Sequence, residues 1–454
     1  MTKYNKKMYY SFYSMRERDD NIRIHSLESE TSPITWNNAI ELTYNIELMP
    51  ASKKTLEQAA DDMITGVTIG TGQTSEGMYT SKAHCLYGPT PGAYKGEVTQ
   101  VERTSEKGGT IKVAFSPEIT QTKEMGFAGL FSVAAGDGLG TAYEMSRIRL
   151  TDIQLPSEVI KDFPGPRFGD EGIRRLLKRE NDIPLVALLL KPNTGQPSEH
   201  YARLAKEAAL AGVDYIKEDE LQLNHPASPL IERTKKILTA LAEAEQITGQ
   251  AVMYAPNITA KSQSLMIDNA KRVVDLGATA IMVNVMQVGI DSLRVLREAN
   301  LGIPIHIHRT GHDNYSRGDV GIDLNVLTKI FRLGGADLIH TGPVFGNLYD
   351  PNEIVRNVRA LADNWFEVKK GLPILSRSAN NIVQDSLDYL GTDPNIIHPA
   401  NVIFLVDKEV YQEANSQTGS IIEPTRKFVQ TVKSARVNRN RTKQEILKKQ
   451  GYLP

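Results

Sequence analysis

The sequence predicts an α/β protein in which a small α+β domain precedes a (β/α)8 (TIM) barrel, and three observations predict it. Eight short, apolar, β-rich runs recur in the second half of the chain: Leu185–Leu190, Val213–Ile216, Ala251–Tyr254, Ala280–Val283, Pro304–Ile307, Asp337–Ile339, Pro373–Leu375 and Val402–Val406. Most are separated by amphipathic helical patterns, such as Tyr201, Leu204, Ala205, Ala208 and Ala209 ending at Gly212, or Met266, Ala270, Val273 and Val274 ending at Gly277. Strand–helix alternation repeated eight times closes a barrel. The 454 residues also leave room for a second, smaller domain beside a barrel of roughly 250 residues.

Residues 1–30 read as an N-terminal extension, rich in charges (Lys6, Lys7, Arg16, Arg18, Asp19, Asp20) with interspersed tyrosines. Residues 31–164 form the α+β domain. Within it, Ile40–Leu48 suits a strand, and Lys54–Ile64 a helix with Leu56, Ala59, Ala60 and Met63 on one face. Further strand-like pieces stand at Lys112–Phe115, Ala128–Ala134 and Arg147–Gln154. Turn glycines (Gly66, Gly70, Gly72, Gly77, and Gly136 to Gly140) lack the full dinucleotide fingerprint. Pro156 to Gly169, with Pro164, Gly165 and Pro166, reads as a linker, and residues 165–454 form the barrel with a basic tail.

Composition narrows the function. A formal net charge of −1 gives no global attraction to nucleic acid or to an acidic membrane. The nine Lys/Arg between Arg426 and Lys449 read as a solvated C-terminal helix and tail. The single cysteine, Cys85, excludes an intrachain disulfide and a cysteine-rich metal cluster, and points to a reducing, cytoplasmic setting. It reads as an ordinary small residue, not a nucleophile. No signal-peptide pattern and no bilayer-length apolar run is expected.

Chemistry in such a barrel sits at the C-terminal strand ends. Those ends read Lys191; Lys217, Asp219 and Glu220; Asn257; Asn284; His308 with Arg309; His340; and Ser376. The densest is Gly212-Val213-Asp214-Tyr215-Ile216-Lys217-Glu218-Asp219-Glu220, where an apolar strand stops in four ionisable residues. A turn there can gather Lys217, Asp219 and Glu220 around one point. Two carboxylates suit Mg²⁺. The lysine fits beside a cation only as a counter-ion, as a base of depressed pKa, or after modification into an anion.

Several motifs are similar, in order and spacing, to the large chain of RuBisCO: Leu188-Leu189-Leu190-Lys191-Pro192, the Gly212–Glu220 block, Ile307-His308-Arg309 with His312, and Ile339-His340-Thr341-Gly342. Phe131–Gly140 and Ile148–Gly169 resemble it too, so the similarity runs from about residue 40 to 410. It implies a ferredoxin-like N-terminal domain, and a homodimer (or a multiple of dimers) whose active sites borrow N-terminal residues from the partner subunit. By position, Lys217 would react with CO₂ to give a carbamate, an anion that joins Asp219 and Glu220 as a ligand of Mg²⁺. Lys191 would be the acid–base lysine and His308 would touch substrate, while Arg309, His340 and Ser376 would hold one phosphate.

The departures carry as much information. Asn347 stands where the family's mobile loop has the lysine that steadies the carboxylation intermediate, and Asn193 replaces a second lysine. Asp137 replaces a metal-proximal asparagine. Ser376-Arg377-Ser378 replaces Ser-Gly-Gly, and Phe404-Leu405-Val406-Asp407 occupies the place of a glycine-rich phosphate cradle. The resemblance is therefore to a RuBisCO-like protein without a small subunit, in which one phosphate site and CO₂ fixation are lost. It implies enolisation chemistry on a monophosphorylated keto sugar or sugar acid: an isomerase, a decarboxylase, or a methionine-salvage 2,3-diketo-5-methylthiopentyl-1-phosphate enolase. A catalytically retired sugar-phosphate-binding barrel is the alternative from another class.

Overall fold

The structure is a computed structural model that describes residues 38–69, 94–136, 139, 144–180, 183–346, 350–417 and 419–454. The N-terminal extension, Gly70, Gly72, Gly77, Cys85, Asp137, Gly138, Gly140 and Asn347 lie outside the described residues.

Four strands build the N-terminal sheet: β1 (Ile40–Leu48), β2 (Glu97–Arg103), β3 (Gly108–Phe115) and β4 (Met145–Gln154). They pair antiparallel in the order β4-β1-β3-β2. Helices fall between β1 and β2 and between β3 and β4, the β-α-β-β-α-β order of ferredoxin-like domains. Along β1, Leu42, Tyr44, Ile46 and Leu48 are buried and alternate with more exposed residues, so one face packs on the helices. The first helix, Leu56–Thr68, starts at a reciprocal cap between Thr55 and Gln58 and buries Leu56, Ala59, Ala60, Met63 and Ile64, the face that the periodicity predicts.

Ala128–Ala134, expected as a strand, is instead the body of a helix, Thr122–Ala134. Phe127, Leu130, Val133 and Ala134 are buried at helical spacing. Gly126 (φ +57°) kinks the chain, and the amides of Phe127 and Ala128 donate to the Asp291 carboxylate at 3.1 and 3.2 Å. The cap of this helix thus comes from the barrel. Strand β2 escaped prediction because its polar, mostly exposed edge sequence has no apolar face to read.

The barrel contains all eight expected strands: β5 (Leu185–Leu189), β6 (Tyr215–Lys217), β7 (Met253–Ala255), β8 (Ile281–Asn284), β9 (Ile305–His308), then β11 (Leu338–His340), β12 (Leu372–Leu375) and β13 (Ile403–Val406), with β10 (Val320–Ile322) lying outside the barrel. They run parallel in sequence order, β13 pairs with β5, and a bridge between Asn257 and Met282 joins the β7 and β8 edges. Inward side chains such as Ala187, Leu189, Tyr215, Met253, Ile374 and Leu405 fill the centre. Outward ones such as Val186, Leu188, Ile216 and Phe404 pack on the helices, so the strands read as unbroken apolar runs.

The two units share one core. Strand β10 leaves the barrel and adds to β4 in parallel, Val320 facing Ile148. Buried Arg149 fastens the junction, donating to Asp323 (2.8 and 2.6 Å) and to the carbonyls of Gly318 and Ser316. The stretch Pro156–Gly169 is packed: Ile160 and Phe163 are buried, and Phe163 stacks on Phe127 with centroids 4.2 Å apart. The basic tail is not simply solvated. Arg441 reaches Asp385 (2.6 Å) and Asp388 (2.8 Å), Lys449 reaches Asp385 (2.9 Å), and Ile446 is buried. Two buried acids select those cations and dock the tail. No helix among the described residues is long and apolar enough to cross a membrane.

Candidate active site

Alternation along β6 sends Tyr215 and Lys217 into the barrel and Glu218 outwards. The four ionisable residues thereby separate into two roles. Glu218 is fully buried and fully bonded: Arg233 donates at 2.6 and 2.9 Å, the Tyr254 hydroxyl at 2.5 Å, and the Asn257 amide at 2.8 Å. It anchors the block and has no capacity left for chemistry. Lys217 is the opposite case. Its Nζ is buried and has no hydrogen-bond partner among the described residues. Burial pulls its pKa from 10.5 down to about 8, against the opposing pull of Glu220 and Asp219.

Two asparagines shape the turn that follows. Asn257, after β7, donates to the carbonyls of Asp219 (3.1 Å) and Glu220 (3.2 Å), and Asn284, ending β8, donates to that of Glu220 (2.9 Å). These bonds hold Asp219 and Glu220 at the mouth beside Lys217. Asp219 accepts from the Leu221 amide and, at 2.7 Å, from Lys191 Nζ, which also donates to Asn193 Oδ1 at 2.6 Å. The Lys191 backbone is clamped: its amide donates to the Tyr411 hydroxyl at 3.2 Å, and that hydroxyl donates to the Leu189 carbonyl at 2.9 Å.

Strands β9 and β11 supply three histidines that face Lys217. His308 stands with Nε2 3.5 Å from the Glu220 carboxylate. Its Nδ1 accepts from the Thr310 amide, so in the neutral ring the proton sits on Nε2 and points at Glu220. The His340 ring lies 4.8 Å from that of His308 and 4.9 Å from that of His306. Burial first, and the Lys217 charge second, push the pKa of all three well below the ordinary histidine value, so they are neutral donors and acceptors. Arg309 meets His312 Nε2, whose ring also contacts Ser316 Oγ at 2.8 Å. Gly342 (φ +99°) is required there, because a Cβ would lie 3.1 Å from Arg309 Nη2 and 2.9 Å from Ile354.

The structure therefore brings together Lys191, Lys217, Asp219, Glu220, His308, Arg309 and His340. Ser376 follows β12, whose Ile374 pairs with His340, but among the described residues no hydrogen bond ties it to Arg309 or His340. Asp137 lies outside the described residues. Arg377 is exposed in the left-handed region (φ +53°), and Asp407, after β13, adds negative potential at Lys217.

Comparison with known proteins fits this geometry. The profile of the ribulose bisphosphate carboxylase large chain, catalytic domain, matches residues 171–382. The ribulose bisphosphate carboxylase of Methanocaldococcus jannaschii is 30% identical over 366 residues, covering 77% of this chain and 84% of that protein. The chain belongs to the RuBisCO large chain family. A ribulose bisphosphate carboxylase-like protein of Bordetella bronchiseptica is 38% identical over 207 residues, 45% of this chain and 48% of that one. Octameric RuBisCO from Pyrococcus horikoshii, solved as a complex with sulfate ion, shares the fold with a TM-score of 0.75 at 24% identity, over 92% of each chain.

Reading only strand ends passes over several parts of this RuBisCO-family site. His306 lies one pleat deeper than His308 on the same face, bonded to the Tyr215 hydroxyl through Nδ1 and with Nε2 unpartnered among the described residues. The alternation Ile305-His306-Ile307-His308 was the available signal. The strand ends do name Asn257 and Asn284 but not what they hold, and Tyr411, on the helix Lys408–Gln417, had no signal, since each clamp is a contact between separate segments.

Proposed function

We propose that the chain is a RuBisCO-like enzyme that enolises a monophosphorylated keto sugar or sugar acid with Mg²⁺, without carboxylating ribulose bisphosphate. One observation carries the reading: a buried amine without a partner, Lys217 Nζ, beside two carboxylates held at the barrel mouth. A neutral amine adds CO₂ to form a carbamate and releases a proton, which turns an awkward buried cation into an anion. That anion would add a third oxygen donor to the two carboxylates. Asp219, Glu220 and the Lys217 carbamate would hold the ion. Bound there, Mg²⁺ would polarise a substrate carbonyl and acidify the adjacent C–H.

The remaining steps belong to the chain's own groups. Lys191 Nζ, 2.7 Å from Asp219, stands next to the residues that would hold the ion. It returns a proton from its ammonium form and removes one as the amine. His308 Nε2–H donates to a substrate oxygen. Arg309 presents a planar fork to the phosphate, with neutral His340 and Ser376 as lesser contacts. Asp407 at the end of β13 repels a second phosphate, which supports one phosphate rather than two. Asn347 supplies no cation for added CO₂. Assembly as a homodimer or a multiple of dimers accords with the octameric Pyrococcus relative.

Proton NMR in D₂O, with Mg²⁺ and bicarbonate, tests the reading on 2,3-diketo-5-methylthiopentyl-1-phosphate, methylthioribulose phosphate, a 3-oxo sugar-acid phosphate and ribulose bisphosphate. Loss of a C–H signal with one monophosphate, abolished by EDTA and slowed at least ~100-fold by Lys217→Ala, is expected. Exchange that survives in Lys217→Ala rejects the mechanism. Binding without exchange by any of the four favours the retired-barrel alternative.

A further inference from the structure

A second polar cleft, of about 660 Å³, lies between the N-terminal sheet and the barrel. None of Lys191, Lys217, Asp219, Glu220, His308, Arg309 or His340 lines it. Its wall combines Asn45, Thr110, Arg147, Arg149 and Thr151 from the sheet with Glu353 and Arg356 from the helix Pro351–Ala362, and with Asp323 after β10. Asn45 faces Thr110 on β3 and Arg149 on β4, so these side chains share one face of the sheet.

The guanidinium groups are not equivalent. Arg149 is saturated by Asp323 and two carbonyls. Arg147 makes no hydrogen bond or ion pair among the described residues, and its Nε is buried without a partner. Glu47 stands opposite it in the β1–β4 register but does not pair with it. Arg356 likewise makes no hydrogen bond or ion pair among the described residues, and Glu353 is the acid nearest in effect. Burial pushes the Glu353 carboxyl up and the Arg356 charge opposes it, while the other acid of the cleft, Asp323, is taken by Arg149. A buried donor without an acceptor is costly, and two forked cations facing one cleft are matched by a multidentate anion.

We propose that this cleft binds a small polyanion, a phosphate ester or a polycarboxylate, through Arg147 and Arg356, with Thr110, Thr151 and Asn45 as neutral contacts. It is a second anion site, separate from the one proposed at Arg309. Calorimetric titration of the Mg²⁺-free full-length protein with pyrophosphate, and separately with citrate, tests it. Wild type is expected to show two sites. The Arg147→Gln/Arg356→Gln variant loses one, with affinity about 10- to 100-fold weaker, and Arg309→Gln loses the other. Arg147→Lys retains charge but not the fork, and recovers part of the affinity. Arg356→Gln alone, at an exposed helix position, guards against misfolding and shows weakened binding by itself. One site only in wild type, lost in Arg309→Gln, overturns the proposal, as does a double variant that still shows both sites. Two sites that persist in Arg309→Gln count against the proposed phosphate role of Arg309, not against the cleft.

Discussion

Lys217, Glu218, Asp219 and Glu220 are neighbours in sequence, yet their surroundings give them opposite roles, and substitutions should separate them. Glu218→Gln leaves the buried Arg233 guanidinium without its counter-charge and should cost about 3 kcal/mol in denaturant unfolding. Asp219→Asn loses only a partly exposed pair with Lys191, and should leave stability within about 1 kcal/mol while abolishing calorimetric Mg²⁺ binding. Lys217 makes a pH-dependent case. Its pKa is about 8 in the fold and 10.5 ordinarily, so between those values the unfolded chain binds the proton more tightly, and stability rises with pH across that window. Lys217→Met, in CO₂-free buffer with EDTA, should exceed wild type in stability below pH 8, and the excess should shrink by ~3 kcal/mol as pH approaches 10.5. A pH-independent difference would mean that the amine is solvated.

The helix Thr122–Ala134 shows how an element can depend on a distant one. Its kink at Gly126 leaves the Phe127 and Ala128 amides facing Asp291, so the capping oxygens belong to another domain. Asp291→Ala should cost about 1 kcal/mol and raise hydrogen exchange at those two amides more than elsewhere in the domain. Unchanged exchange there would show that the cap is dispensable. Its local signal is weak, because its first turn has no side-chain cap of its own and its mostly apolar stretch, interrupted by Gly129 and Ser132, is too short to fix the period. The Leu56–Thr68 helix was legible for the converse reason: Thr55 and Gln58 write its start into the sequence.

Over the whole molecule, ionic clasps join segments far apart in the chain. The C-terminal tail is held by Asp385, whose carboxyl burial pushes up but which hydrogen bonds from Lys449, Arg441 and Gln450 hold below the ordinary 3.8. A depressed carboxyl pKa stabilises above that ordinary value and ceases to do so as pH falls through the lower, folded one. Tail docking should therefore persist above about pH 4, weaken as pH falls further, and fail once pH drops below the folded value. Asp385→Asn at neutral pH should make tryptic cleavage at Arg441 and Lys449 several-fold faster while the barrel stays intact. Equal cleavage rates would assign the docking to Ile446 and to the Arg441–Asp388 pair.

The eight barrel strands and seven residues of the rim were legible in the sequence because each signal is local. Strands buried on both faces must be apolar throughout, and polar residues at their ends have few reasons to be there except the barrel mouth. Tertiary structure alone decided which of those polar groups would be satisfied. Glu218 and Lys217 differ by one residue, but Arg233, Tyr254 and Asn257 converge on the first, while no hydrogen-bond partner among the described residues reaches the second. The same holds for His306 beneath His308, for the tail on Asp385, and for Arg147 facing an open cleft. Hydrogen-bond satisfaction depends on distances between segments, and a linear chain does not record those distances until it has folded.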